Sequence, residues 1–341
     1  MAKNKFQITV EIPQFRKKAG YNTCNMFIGS CFTENMGSIM DTLKFCVDIN
    51  PFGILYNPAS IAGGIRDLLR NKEFRKEDLI EHNNLWHSFS HHGHFSSVLA
   101  EETIRKINER IVYSSAFLKN TGFLFITFGT AWIYKYKKTG KLVSNCHKIP
   151  ETEFDRYRLT VDEIVAEYRN LLNEIKKENP TCNVIFSVSP IRHLKNGAIE
   201  NKRSKAVLLL AIDKILAEPE NKNCSYFPAY EIVMDELRDY RFYSDDMIHI
   251  SDMAINHIWD IFKENHIDNE SMKIIPQVQK INKAFKHKPF NKNLPEYISF
   301  LRSSLKQIEE LEIKFPNLNF EQEKRHFNYE LYGTFKDTEH L

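Results

Sequence analysis

Short apolar, β-branched runs alternate with amphipathic stretches of ten or more residues along most of this chain, and that alternation restricts its fold more than any other feature. NMFIGS (25–30) leads into a helix-like stretch at about 34–45. FCVDINPFG (45–53) reads as a second strand, and Asn57-Pro58-Ala59-Ser60 offers a cap before IAGGIRDLLR. An amphipathic stretch at 100–119 precedes the apolar run FLFITFG (123–129). Thr160 with Glu163 forms a capping box for VDEIVAEYRNLLNEIKKEN, which Pro180 closes. CNVIFSVSP (182–190), KRSKAVLLLAIDKILAE (202–218), YFPAY (226–230) and SDMAINHIWDIFKEN (251–265) continue the pattern. Strands separated by helices of this length cannot form hairpins and predict βαβ units around a mostly parallel sheet. The expected fold is therefore α/β, three-layered, open and doubly wound.

The pattern changes after residue 268, which sets expected domains of 1–268 and 269–341. Residues 271–292 hold six Lys and neither Asp nor Glu, which reads as a solvated face or a linker. Ile298, Leu301, Leu305 and Ile308 follow at helical spacing, predicting a helix that packs back on the domain or pairs with a second copy as a homodimer.

Lys and Arg total 47 against 44 Asp and Glu, so no nucleic-acid partner is expected. The N-terminal residues MAKNKFQITVEIPQF lack the apolar core of a signal peptide. The longest apolar run, AVLLLAI (206–212), is far too short for a membrane span. A cytoplasmic location with no membrane partner is expected. The six cysteines include no Cys-x-x-Cys pair, so reduced thiols are expected rather than a disulfide framework or a zinc site. No phosphate-binding glycine fingerprint is present, so no cofactor is implied. His87, His91, His92 and His94 lie in one run without an acid or Cys beside them, and adjacent His91 and His92 diverge on any regular element. No metal is expected there. That inserted run reads instead as a flap with Trp86 and Phe89 as apolar walls.

Two stretches carry chemistry. Ser30 falls where the first strand ends and a helix begins, and in open α/β sheets ligands gather at the carboxyl ends of the strands. Unpaired helix N–H groups there favour a developing anion, and Gly29 permits a sharp turn. The second stretch is SDDMIHIS (244–251), in which Asp246 and His249 are three residues apart. A Ser hydroxyl needs a base titrating near neutrality, held in the right tautomer by a third group. His249 as base and Asp246 as orienter fit those roles.

An early Gly-Ser with a late Asp-x-x-His resembles the SGNH/GDSL hydrolase superfamily, which has a flavodoxin-like sheet. The chain is more similar still to one branch, the GSCFA family, through Gly29-Ser30-Cys31-Phe32-Thr33, with Thr33 in place of that family's Ala. NPFGILYNP (50–58), FGTAWIY (128–134), SNCHKIP (144–150), SVSPIRHLKNGAIENKRSKA (187–206) and RFYSDDMIH (241–249) extend the resemblance over roughly residues 20–265. It implies a serine esterase acting on a small-molecule or carbohydrate ester. Ser30 is the nucleophile, and Cys31 points away into the core. The resemblance also implies an oxyanion hole built from the N–H groups of Ser30 and Gly53 and a third donor. The superfamily's Asn two residues after Gly129 is absent, and Thr130, Trp132 and the Asn145-Cys146-His147 stretch are the candidate replacements for that side-chain donor. Trp132, Asn145, His147, Arg192 and His193 are candidate substrate-binding residues. The alternatives are an O-acyltransferase, a non-catalytic glycan- or partner-binding protein, and a Cys31 thiol enzyme.

Overall fold

In the computed structural model, which describes residues 8–15, 17–291 and 294–333, the alternation becomes one central sheet with helices on both faces. The first half runs β1 (Cys24–Gly29), α1 (Cys31–Thr42), β2 (Val47–Ile49), α2 (Pro58–Leu69), a hairpin of β3 (Leu79–His82) and β4 (Leu85–Ser88), α3 (Ala100–Lys119) and β5 (Thr121–Phe128). Next come β6 (Trp132–Tyr136), β7 (Leu142–Val143), β8 (Phe154–Arg158), α4 (Val161–Glu178), β9 (Asn183–Val188), α5 (Gly197–Ala217), β10 (Cys224–Tyr226) and the single turn α6 (Ala229–Glu231). Among the described residues four helices follow: α7 (Asp252–His266), α8 (Asn269–Lys286), α9 (Pro295–Lys314) and α10 (Glu321–Tyr332).

The main sheet has the order β10-β9-β5-β1-β2, every pair parallel. This is a doubly wound order whose direction reverses between β1 and β5. A crevice opens at such a switch point, beyond the carboxyl ends of those two strands. Strand side chains alternate between two buried layers. Met26, Ile28, Leu124, Ile126, Val184 and Phe186 pack under α2–α5. Phe27, Phe123, Phe125 and Ile185 face α1 and α7. Continuously apolar strands are what burial on both faces requires.

Local signals place several helix ends. Asn57 accepts the Ser60 N–H at 2.8 Å to cap α2, and the Thr160–Glu163 capping box forms as read. Helix α1 begins at Cys31, directly after Ser30 and earlier than its apolar periodicity indicates, because the turn itself starts the helix.

Two expectations are corrected. For the lysine-rich segment the solvated face holds and the linker does not: it forms α8, burying Ile274, Ile275, Val278 and Ile281 while its Lys side chains face solvent. Leu301, Ile308, Phe320 and Phe327 of the following helices join the α1/α7 layer, so the C-terminal helices complete one face of the core. The thiols are not all reduced, since Cys24 and Cys46 form a disulfide with Cα atoms 4.7 Å apart. Parallel pairing of Asn25 with Val47 brings the preceding residues side by side, a proximity that a spacing of 22 in sequence does not reveal. Among the described residues no helix is long and apolar enough to cross a membrane.

Candidate active site

The chain leaves β1 at Gly29, whose φ of +148° and close approach to β5 exclude a side chain. A Cβ there would lie 2.3 Å from the Thr127 carbonyl oxygen. Ser30 follows as the N-cap of α1, yet its hydroxyl makes no capping bond. The residue is buried, and Oγ has no hydrogen-bond partner. An N-cap Ser normally satisfies a helix N–H, so a free hydroxyl at the switch point is the unusual feature of this turn.

Asp246 and His249 lie in a tight loop closed by the Ser244 N–H donating to the His249 carbonyl at 2.8 Å. Met247 adopts φ +57° within it. Asp246 Oδ2 meets His249 Nδ1 at 2.5 Å, while Oδ1 accepts the backbone N–H groups of Ile248 and His249, both at 2.9 Å. The His249 hydrogen bond, with those two N–H donors, holds the Asp246 carboxyl down to about 2. A permanent carboxylate at Nδ1 leaves the proton on that nitrogen and makes Nε2 the free base. Arg192 ties this loop to the end of β9, donating to the Tyr243 hydroxyl at 3.3 Å with its guanidinium over the Tyr243 ring.

Tyr56, which sequence reasoning did not single out, meets two residues that it did, Cys31 and His193. The Tyr56 carbonyl accepts the N–H groups of Gly129 (2.8 Å) and Thr130 (2.9 Å), locking the loop after β5. Its hydroxyl is 3.7 Å from Cys31 Sγ, and burial followed by the neighbouring Cys31 raises its pKa. Cys31 is therefore half-buried against Tyr56 and not deep in the core. The Tyr56 ring meets His193 edge-on at 4.9 Å. Burial, then Lys205 and His249, push His193 down to about 4, so it is neutral near pH 7.

Lys205 is fully buried, donating to the carbonyls of Gly129 (2.7 Å) and Ser189 (2.6 Å) at the ends of β5 and β9. Burial and then Lys202 lower it to about 7. Its signal was a charged residue at helical spacing with the buried Leu208, Ala211, Ile212 and Ile215.

The expected oxyanion donors are not free as read. Gly53 N–H closes a turn onto the Asn50 carbonyl at 2.8 Å, and Thr130 N–H is held by Tyr56, while Thr130 Oγ1 accepts the Trp132 N–H at 3.2 Å and lies 3.1 Å from Ser204 Oγ. Ser30 N–H makes a longer contact, 3.3 Å, with the Thr127 carbonyl. Asn50 stands beside this turn. Its Oδ1 accepts the Gly29 N–H at 2.9 Å, and its Nδ2 is buried without a partner.

Of the candidate substrate residues, Trp132 opens β6 half-buried, with the Arg156 guanidinium 4.4 Å from its ring. Asn145 and His147 fasten the flap instead. Asn145 N–H donates to the Phe89 carbonyl, and buried His147 reaches the Ser88 carbonyl through Nε2 at 2.8 Å and stacks on His87. Burial brings His147 down to about 4. The flap's Trp86 is half-buried, and Phe89 packs against Tyr136 and Phe154. His92 lies against the Gly53 turn, where a Cβ on Gly53 would be 2.2 Å from its own Cβ. Among the described residues no group of three or more His, Cys, Asp or Glu side chains could hold a metal ion. Beside Asn50 and Gly53 a cleft of about 650 Å³ opens, lined also by Glu34, His92, Lys106, Glu109 and Tyr113.

A doubly wound α/β sheet with an unpaired serine at its switch point and a His–Asp pair in a late loop defines the class of protein. The chain belongs to the GSCFA family, which matches residues 25–262, and the C-terminal domain of GSCFA domain proteins matches residues 278–332. No curated protein matches the chain by sequence. Solved structures similar to it include an acetyl esterase mutant with acetate ion, at 11% identity, covering 76% of this chain and 99% of that one with a TM-score of 0.34. A carbohydrate esterase family 3 protein from Talaromyces cellulolyticus is similar at 9% identity, covering 75% and 99%, with a TM-score of 0.34. An acetyl xylan esterase from the rumen bacterium Butyrivibrio proteoclasticus is similar at 14% identity, covering 42% and 37%, with a TM-score of 0.25.

Proposed function

We propose that this protein is a serine ester hydrolase of the SGNH type, with Ser30 as nucleophile, His249 as general base and Asp246 as its orienter. The observation that carries the reading is the Asp246–His249 pair. A carboxylate held by two backbone N–H donors meets Nδ1 at 2.5 Å and leaves Nε2 free to accept a proton. A mere surface ion pair needs no such fixation of the carboxylate.

In the reaction Ser30 Oγ forms a bond to the ester carbonyl carbon. The carbonyl π pair moves onto oxygen, and the hydroxyl proton passes to His249 Nε2. Collapse restores the carbonyl, breaks the bond to the leaving alkoxide and delivers the His249 proton to it. Water, deprotonated by the same nitrogen, then releases the acid and regenerates Ser30. Ser30 Oγ has no partner in the free protein, so its bond to His249 forms in the substrate complex, where catalytic hydrogen bonds commonly tighten. By analogy with the SGNH superfamily the substrate is a short acyl ester of a small alcohol such as a sugar.

Intact-mass spectrometry after incubation with a fluorophosphonate tests this. One adduct on the wild type and none on Ser30→Ala is expected. A folded wild type that neither forms an adduct nor hydrolyses p-nitrophenyl acetate would refute it and favour a non-catalytic binding protein.

A further inference from the structure

Three buried polar atoms without partners gather around Gly29: Ser30 Oγ, Thr33 Oγ1 and Asn50 Nδ2. Thr33 Oγ1 lies 3.0 Å from where a Cβ on Gly29 would stand, and Asn50 Oδ1 holds the Gly29 N–H. Buried polar groups are nearly always paired, because an orphan donor keeps its full desolvation penalty. Three orphans around one turn mark a place prepared for a polar ligand atom.

Asn50 is the most constrained of them. Its backbone sits at φ +44°, in the left-handed region that Asn tolerates better than most residues. Its N–H donates to the Phe27 carbonyl and its carbonyl accepts the Gly53 N–H, both at 2.8 Å. The amide orientation is forced, since only oxygen can face the Gly29 N–H, and Nδ2 must then be the free donor. The residue also lines the cleft between α1 and α3.

Resting on the serine-hydrolase reading, we propose that Asn50 Nδ2 is the side-chain oxyanion donor of this site. It replaces the Asn that the chain lacks two residues after Gly129. When Ser30 Oγ adds to the ester, the π pair leaves charge on the carbonyl oxygen, and an Nδ2–H donates to that oxygen until the leaving group departs. The donor is held in place beforehand, so it needs no reorganisation as charge develops. The committed N–H groups of Gly53 and Thr130 explain why a donor from another residue is needed.

Asn50→Asp keeps an acceptor for the Gly29 N–H and replaces the donor by a carboxylate oxygen, which also sets a negative charge against the developing oxyanion. Turnover of p-nitrophenyl acetate is expected to lose about 100- to 1000-fold in kcat with KM changed less than about threefold. A residue that merely anchors Gly29 keeps its anchor in that variant and would lose kcat only through the added charge, far less than the loss of a donor. Asn50→Gly, which suits the left-handed backbone, removes anchor and donor together and is expected to lose at least as much. A kcat within threefold of wild type in either folded variant, alongside a dead Ser30→Ala, overturns the assignment of Asn50 and leaves the hydrolase reading standing. A wild type that neither turns over nor takes the fluorophosphonate overturns both.

Discussion

His266 offers a sharp test of how burial is distributed in this fold. It lies in α7 with no solvent exposure, ringed by Phe15, Phe123, Phe125 and Phe262 at centroid distances of 4.8–5.1 Å. Neither ring nitrogen has a hydrogen-bond partner. Burial, then nearby Lys18, push its pKa down to about 3, against about 6.5 for a free imidazole. Between those values the unfolded chain binds a proton that the folded chain refuses, so stability falls as pH drops below 6.5. The slope is about 1.4 kcal/mol per pH unit. From pH 8 to pH 5 this single group removes about 2 kcal/mol. His266→Phe deletes the titration within an aromatic cage that accepts another ring. Urea unfolding of both proteins at pH 8 and pH 5 then gives a double difference in which every other group cancels. The mutant is expected to lose about 2 kcal/mol less than wild type on acidification. Equal losses in the two proteins, within about 0.5 kcal/mol, would show that His266 is hydrated or paired and refute the reasoning.

His91, buried at 1% exposure and pushed by burial to about 3, carries the same sign, so His91→Phe should flatten the acid limb by a similar amount in the same assay. Gly29→Ala places a Cβ against the Thr127 carbonyl at a positive φ, and a loss of roughly 3 kcal/mol is expected in chemical denaturation; a wild-type midpoint would refute that placement. Lys205→Met leaves the Gly129 and Ser189 carbonyls without their buried donor and is expected to cost roughly 3 kcal/mol in the same measurement. Asp246→Asn should lower p-nitrophenyl acetate turnover by a factor on the order of 1000 or more while leaving the thermal midpoint within a few degrees; retained turnover would remove Asp246 from the mechanism.

The sheet, the serine turn and the caps at Asn57 and Thr160 were legible in the sequence because each is encoded within a few residues. Apolar runs alternating with helical periodicity specify burial on both sheet faces, and Asp246 and His249 share one short loop. Even α8 has its pattern in the chain, with Ile274, Ile275, Val278 and Ile281 at helical spacing between the lysines. Cys31 was expected in the core, but the position of its neighbour Tyr56 drew it to a half-buried site beside a hydroxyl.

What the sequence determined by itself was the class of fold, the turn that carries Ser30 and the loop that carries Asp246 and His249, since hydrophobic period and turn chemistry are local. Tertiary structure decided which donors and acceptors are already taken. Gly53 and Thr130 were plausible oxyanion donors until folding committed their N–H groups to Asn50 and Tyr56. Lys205 became a clamp between two strand ends, Cys24 met Cys46, and Asn50 was left with a free amide beside the serine. A hydrogen bond is settled by distances of a few tenths of an ångström between groups far apart in the chain, and only the packed sheet sets those distances.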